Sequence, residues 1–230
     1  MYIRKTDFTP LFDEMQPKAG MVYAFVGKHG TGKTNLLQSL SARLVANGQK
    51  GIYVTTCDDD ELKENIELFE NIKPDVMCDG LYHIFGNGYS LDIIENEIKS
   101  FKPDFLVIDD LYKLPDAKDR NQILSGMKKL AENNGIYIIF SECSSYSGLF
   151  PFSIHTIAKP HFDVEEKQPP VEQGVIKHSD YVFIIKKGFT DSFDDYNFTS
   201  EIEVIKGNNV GKTVVIKDCI TCFFRKDKAE

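Results

Sequence analysis

Eight residues, Gly27-Lys28-His29-Gly30-Thr31-Gly32-Lys33-Thr34, constrain this chain more than any other stretch, because they lie between an apolar run and a helical pattern. The run is Met21 to Val26, and the pattern is Asn35 to Ala46. Glycines at 27, 30 and 32 let the backbone turn its N–H groups inward, where side chains would block an anion. Lys33 then reaches toward β- and γ-phosphates, and the Thr34 hydroxyl is placed to hold Mg²⁺. The helix that begins near Asn35 points the positive end of its dipole at the same anion. Strand, glycine loop and helix in that order commit the chain to an α/β fold, with Gly27 to Asn35 as its phosphate-contacting segment.

The rest of the pattern extends this unit. The loop helix runs from Thr34 to about Asn47, with Leu36, Leu37, Leu40 and Leu44 on one face and Gly48 as a stop, and a strand follows at Gly51 to Thr55. Asp58 to Asp60 open a helix over Glu61 to Asn71; Leu81 to Phe85 reads as a strand, and Ser90 caps a helix through Ile93, Ile94 and Ile98 to Phe101. Phe105 to Ile108 is a continuous apolar run ending in Asp109 and Asp110, the pattern by which a strand buried on both faces delivers a carboxylate to a sheet edge. Asp109, at the end of a neighbouring strand, is the natural partner of Thr34 for Mg²⁺.

A helix over Asp119 to Asn133 turns Ile123, Leu124, Met127 and Leu130 inward and Lys128 and Lys129 outward, ahead of a strand at Ile136 to Phe140. Residues 142–179 have no clear period and read as a long functional or mobile loop. Strands at Tyr181 to Lys186, Glu201 to Lys206 and Thr213 to Ile216 close the chain, with a further one at Ile220 to Phe224 and a polar hairpin turn at Gly207 to Gly211. Asp191 to Phe198 reads as a solvated hairpin tip. At the front, residues 1–20 carry an amphipathic piece around Phe8, Leu11 and Phe12, broken by Pro10 and Pro17. Alternation of strand and helix implies right-handed βαβ units in a mostly parallel sheet flanked by helices, with a C-terminal antiparallel extension.

Size and composition limit the alternatives. At 230 residues and 42% hydrophobic content, one domain over residues 1–230 is expected. No stretch is apolar enough for a membrane span or a secretory leader, and five cysteines, an odd number, fit a reducing compartment, so the expected location is cytoplasmic. Cys219 and Cys222 lack a second pair and fall on opposite faces of a strand, while His155, His161 and Asp163 sit on an irregular loop without a scaffold; neither set makes a metal site. The net charge of −8 excludes a generally basic nucleic-acid surface, so any DNA contact is local.

Taken together, the glycine loop, Val107-Ile-Asp-Asp-Leu111, the helix Ile123 to Ala131 and the strand Ile136 to Glu142 resemble the ATPase domain of the RecA superfamily, with the closest likeness to DnaB-type replicative helicases. Val171 to Ile184 and Glu201 to Thr213 resemble that family's last strands and its lysine-containing hairpin. The likeness covers roughly residues 8–220 and implies a RecA-like fold, ATP and Mg²⁺ as ligands, and a homo-oligomer with nucleotide at its interfaces. It also implies single-stranded DNA held by the loops at 112–120 and 142–179, which here offer Lys113, Lys118 and Arg120, and Phe150, Phe152, His155, Lys159 and His161.

Three positions depart from the family. The glutamate that orients the attacking water aligns with Cys57, leaving Asp58 or Asp110 as candidate bases; the glutamine that senses the γ-phosphate falls on Glu142; and of the Lys and Arg that reach a neighbour's nucleotide, Lys206 matches while the Arg reads Asn208. A carboxylate at Glu142 repels a γ-phosphate unless it is protonated or paired. The expectation is therefore firm Mg-ATP binding with slow hydrolysis, in an enzyme acting on DNA in replication or recombination. The alternative is an accessory protein that uses ATP for assembly. A small-molecule phosphotransferase ranks last, because the chain has no Arg-rich lid.

Overall fold

The computed structural model describes residues 2–6, 8–28, 31–55, 80–85, 89–111, 114, 120–143, 171–189 and 196–222. Its strands are β1 (Tyr2–Thr6), β2 (Val22–Gly27), β3 (Gly51–Thr55), β4 (Leu81–Phe85), β5 (Phe105–Ile108), β6 (Tyr137–Cys143), β7 (Tyr181–Phe189), β8 (Tyr196–Lys206) and β9 (Thr213–Cys222). The described helices are α1 (Thr9–Met15), α2 (Lys33–Ala46), α3 (Leu91–Phe101), α4 (Arg120–Asn134) and α5 (Gln173–His178).

The nine described strands form one sheet in the order β1-β9-β8-β7-β2-β6-β5-β3-β4. From β4 to β7 every pairing is parallel, and β7 to β8, β8 to β9 and β9 to β1 are antiparallel. An α/β fold with a mostly parallel sheet and an antiparallel extension is therefore what the chain adopts. The parallel strands are central because β2 and β5 are apolar throughout and buried along their whole length, which suits strands covered on both faces.

Side chains alternate between two helical layers, as strand periodicity requires. Tyr23 and Phe25 of β2, Phe105 and Val107 of β5, and Tyr137 and Ile139 of β6 pack with Leu37, Leu40 and Leu44 of α2 and Leu11 and Met15 of α1. Val22, Ala24, Val26, Leu106, Ile108, Ile138 and Phe140 face the other way, onto Ile94 and Ile98 of α3, Ile123, Leu124 and Met127 of α4 and Val175 of α5. On the α2 side, stacked pairs Tyr23–Tyr181 (5.2 Å) and Phe25–Phe183 (4.9 Å) join β2 to β7. Such pairs contribute about 1 kcal/mol each beyond area burial.

Several boundaries move. The N-terminal piece contains an edge strand, β1, pairing with β9 from Tyr2↔Cys222 to Thr6↔Asp218. Pro10 does not break α1, because it occupies the first turn, where its missing N–H has no partner to lose. The closing strand expected at Thr213–Ile216 runs on without a break through Ile220 to Cys222 as one β9, and Tyr196 to Phe198 belong to β8 rather than to a hairpin tip. Cross-strand pairing with β8 and β1 overrides the weaker local pattern.

Residues 142–179 hold the end of β6 and the short α5. Lys128 does not point to solvent: its ammonium donates to the Gly20 carbonyl (2.8 Å) and to Asp180 (2.7 Å), whose carboxylate also accepts from the Val22 amide (2.8 Å). This lock fixes the entry to β2. The helix expected at Glu61 to Asn71 lies outside the described residues.

Candidate functional site

The glycine loop leaves the C-terminal end of β2, between β6 and β7. At Gly27 a Cβ would meet Thr31 Oγ1 at 2.7 Å and the Ile185 carbonyl at 3.1 Å, so no side chain fits between loop and β7. Gly32 has φ +81°, which favours glycine, and it is the N-cap residue just ahead of α2. Among the described residues no side chain caps α2, which leaves the partial positive charge of its first-turn amides facing the loop. Thr31 Oγ1 donates to the Lys28 carbonyl at 2.9 Å, and Lys33 Nζ donates to the carbonyls of Gly27 (3.0 Å) and Lys28 (2.7 Å). The lysine thus curls back onto the rim of its own loop, with its charge kept at the sheet edge. His29 and Gly30 lie outside the described residues, as does the side chain of Asn35.

Asp109 follows β5, and β6 intervenes between β5 and β2. The expectation of a carboxylate on an immediately neighbouring strand is corrected to one two strands away. Asp109 still belongs to the α2 side of the sheet, because the alternation set by Phe105 and Val107 carries it there. It is buried, and its Oδ1 accepts a 2.7 Å hydrogen bond from Ser141 Oγ on the intervening strand. The same Ser141 oxygen accepts from the Asp110 amide at 2.8 Å. Asp110 has φ +66°, a left-handed conformation unusual for a residue other than glycine. Ser141 therefore fixes both the acid and the sharp turn after it.

Glu142 sits opposite Val26, the residue before Gly27, and Cys143 sits opposite Gly27 itself. Cys143 Sγ lies 4.0 Å from Lys33 Nζ. Glu142 alternates to the α4 side, where the first residue of α4, Arg120, donates to its Oε1 at 2.5 Å and also pairs with Glu172 just ahead of α5. Glu142 is 3% exposed, and its Oε2 has no hydrogen-bond partner among the described residues. Burial pushes its carboxyl up to about 7; Arg120 pulls it down, while Glu172 and Asp110 add to the push. The carboxyl is thus paired with Arg120.

Other expected residues are placed elsewhere. Lys206 Nζ donates to the carbonyls of Ile176 (2.7 Å) and Ser179 (2.5 Å), so in this chain its ammonium caps the end of α5. Arg120, one of the cations assigned to the 112–120 loop, is engaged by two carboxylates, which lowers the charge that loop offers to phosphates. Cys57, Asp58, Lys113, Lys118, Phe150, Phe152, His155, Lys159, His161 and Asp163 lie outside the described residues.

The residues that are described fit a nucleotide phosphate and Mg²⁺. A Cβ is barred at Gly27, the start of α2 carries no side-chain cap from the described residues, Lys33 is at the rim, and Asp109 is held by a hydrogen bond on the α2 side. Among the described residues no cluster of three or more metal-ligating side chains exists. Mg²⁺ is commonly held by one or two protein oxygens, its remaining positions filled by phosphates and water, and Thr34 and Asp109 would supply those two.

The sequence singled out Asp109, Asp110 and Glu142 but not Ser141 or Glu172, whose roles depend on strand order. Among the described residues no helix is long and apolar enough to cross a membrane. Neither a protein-family model nor a curated protein matches this sequence.

Proposed function

We propose that this chain is a RecA-like, DnaB-like P-loop ATPase that binds Mg-ATP and acts on DNA in replication or recombination, with slow hydrolysis. One observation carries the reading: a glycine loop at the C-terminal edge of a parallel sheet, rimmed by Lys33, with Asp109 held toward the same side two strands away. In open α/β sheets that edge is where ligands bind. Gly27 to Asn35 hold the phosphates, Thr34 and Asp109 hold Mg²⁺, and Asp58 or Asp110 positions the attacking water.

Slow turnover follows from the charge at the edge. Cys57 and Asn208 stand where a base and an arginine are needed, and a carboxylate stands where a neutral amide would face the γ-phosphate. The proposed assembly is a homo-oligomer with nucleotide between neighbours, and the proposed DNA contacts are the 112–120 and 142–179 loops.

The test is a nucleotide titration with Lys33→Ala. Loss of ATP affinity by about a hundredfold or more is expected, since the variant removes the ammonium that this reading assigns to the phosphates. Unchanged affinity would refute the site. ATPase rates with and without single-stranded DNA, at low and high salt, then test the DNA assignment: stimulation that salt abolishes supports it.

A second reading, an accessory protein that uses ATP for assembly, is favoured by Lys206, whose ammonium is spent on α5 carbonyls rather than presented to a neighbour. A near-zero rate at all salt concentrations, with a nucleotide-dependent change in mass, distinguishes it.

A further inference from the structure

We infer that Cys143 lies beside the terminal phosphate of bound nucleotide and is the positioning residue for Lys33, resting its ammonium without competing for it. The inference rests on the ATPase reading above and adds to it the residue of β6 that stands against the phosphate lysine.

Strand geometry selects this residue. Successive side chains of β6 point to opposite sides of the sheet. Ser141 holds Asp109 on the α2 side, and Glu142 turns to the α4 side, where it meets Arg120. Cys143, the last residue of β6, therefore returns to the side of the glycine loop. Its partner in register on β2 is Gly27, which has no side chain, so that position on β2 puts nothing between the thiol and the loop. Cys143 Sγ accordingly comes to 4.0 Å from Lys33 Nζ. Both side chains are half-buried, so a solute that reaches one is next to the other.

The chemistry of the pair explains what a thiol does there. An ammonium carries three protons, and two of those on Lys33 go to the carbonyls of Gly27 (3.0 Å) and Lys28 (2.7 Å). The remaining one is left for the sulfur, a weak acceptor. A carboxylate in the same place would hold the lysine by a charge-assisted bond, about twice as strong as a neutral one, and would repel the phosphate as well. A thiol marks the lysine's resting position and releases it to the γ-phosphate at little cost. Cys143 has no disulfide, and the two polar groups nearest it on the α2 side, Ser141 and Asp109, are bonded to each other.

The experiment uses the full chain, reading nucleotide affinity by titration and the rate at which iodoacetamide alkylates each cysteine by peptide mass spectrometry. In that reaction the thiol sulfur bonds to the reagent's methylene carbon, iodide leaves, and the thiol proton passes to solvent. Cys219 and Cys222 of β9 are internal references, because a general tightening of the fold slows them too. Saturating Mg-ATP is expected to slow alkylation of Cys143 by about tenfold or more relative to the references, since reactivity follows access. Saturating Mg-ADP, which lacks the γ-phosphate, should slow it less. Cys143→Asp is expected to lose about tenfold more ATP affinity than Cys143→Asn, which has the same size without the charge. A wild-type chain that binds ATP while Cys143 is alkylated unslowed, or is slowed equally by ATP and ADP, would overturn the inference and leave the nucleotide site standing. Equal affinities in the Asp and Asn variants would overturn it too. Failure of wild type to bind ATP at all would sink the ATPase reading and this inference with it.

Discussion

Two buried glutamates, one in α1 and one near the end of β6, show how the same side chain is pushed in opposite directions by its surroundings. Glu14 lies in α1, against the hairpin of the antiparallel extension, and both its oxygens are filled: Asn209 donates to Oε1 and Lys212 to Oε2, each at 2.7 Å. Burial alone would raise its carboxyl, but the hydrogen bonds from Lys212 and Asn209, with the lysine's charge, hold it below the ordinary range. Glu142 has one oxygen filled and one bare, and burial wins, taking it up to about 7. Both side chains are nearly inaccessible, but Glu142 is set more deeply among protein atoms and only one of its oxygens is answered, so burial prevails there and not at Glu14.

The contrast is tested most strongly at Lys212. In Lys212→Met the Glu14 carboxylate stays buried with only Asn209, and a loss of about 2 kcal/mol in unfolding free energy is expected, reduced from the full cost of a buried pair because Lys212 is half exposed. Nucleotide affinity should not change. A denaturant titration checks the first claim, and an unchanged midpoint would mean that Glu14 is not held by charge.

pH separates the two acids next. Because the folded value of Glu142, about 7, lies above the ordinary 4.5, the folded state binds more protons over that window and stability falls as pH rises through it. Glu14 has the opposite sign: its contribution is present above the ordinary carboxylate value and is lost as pH falls through its depressed one. Glu142→Gln should therefore abolish the decline between pH 5 and pH 8, gaining on the order of 2 kcal/mol over wild type at the upper end. Melting curves at both pH values decide it; a parallel shift would show that the carboxyl titrates normally.

The smallest expected effect is at Ser141, which holds Asp109 and the Asp110 amide but touches neither glutamate in a recorded hydrogen bond. Ser141→Ala should weaken ATP binding about fivefold, near 1 kcal/mol, with Mg²⁺ present and leave it unchanged in a chelator. Equal weakening in both would place the fault in the fold rather than at the metal-facing acid.

Much of the site was legible before any coordinates. Gly27 and Gly32 could be read because only a residue without a side chain survives the contacts and the backbone angle found there. Strands Gly51–Thr55 and Leu81–Phe85 match their expected bounds, and the buried runs of β2 and β5 marked themselves by unbroken apolar sequence. Edge strand β1 and the long β9 were not legible, since each depends on pairing with a segment about two hundred residues away or on an antiparallel partner, as Tyr2↔Cys222 does.

What the sequence determined by itself is local: a loop whose glycines, lysine and threonine follow one another by covalent spacing, and a strand that must end in carboxylates. What only the tertiary structure decided is which groups face each other. Sheet order put β6 between the loop strand and Asp109, brought Ser141 to that acid, and set Arg120 and Glu172 around Glu142. Spacing along a chain fixes what a residue can do. Its protonation and free oxygens depend on neighbours that the fold supplies from distant sequence, because burial and nearby charge act through space.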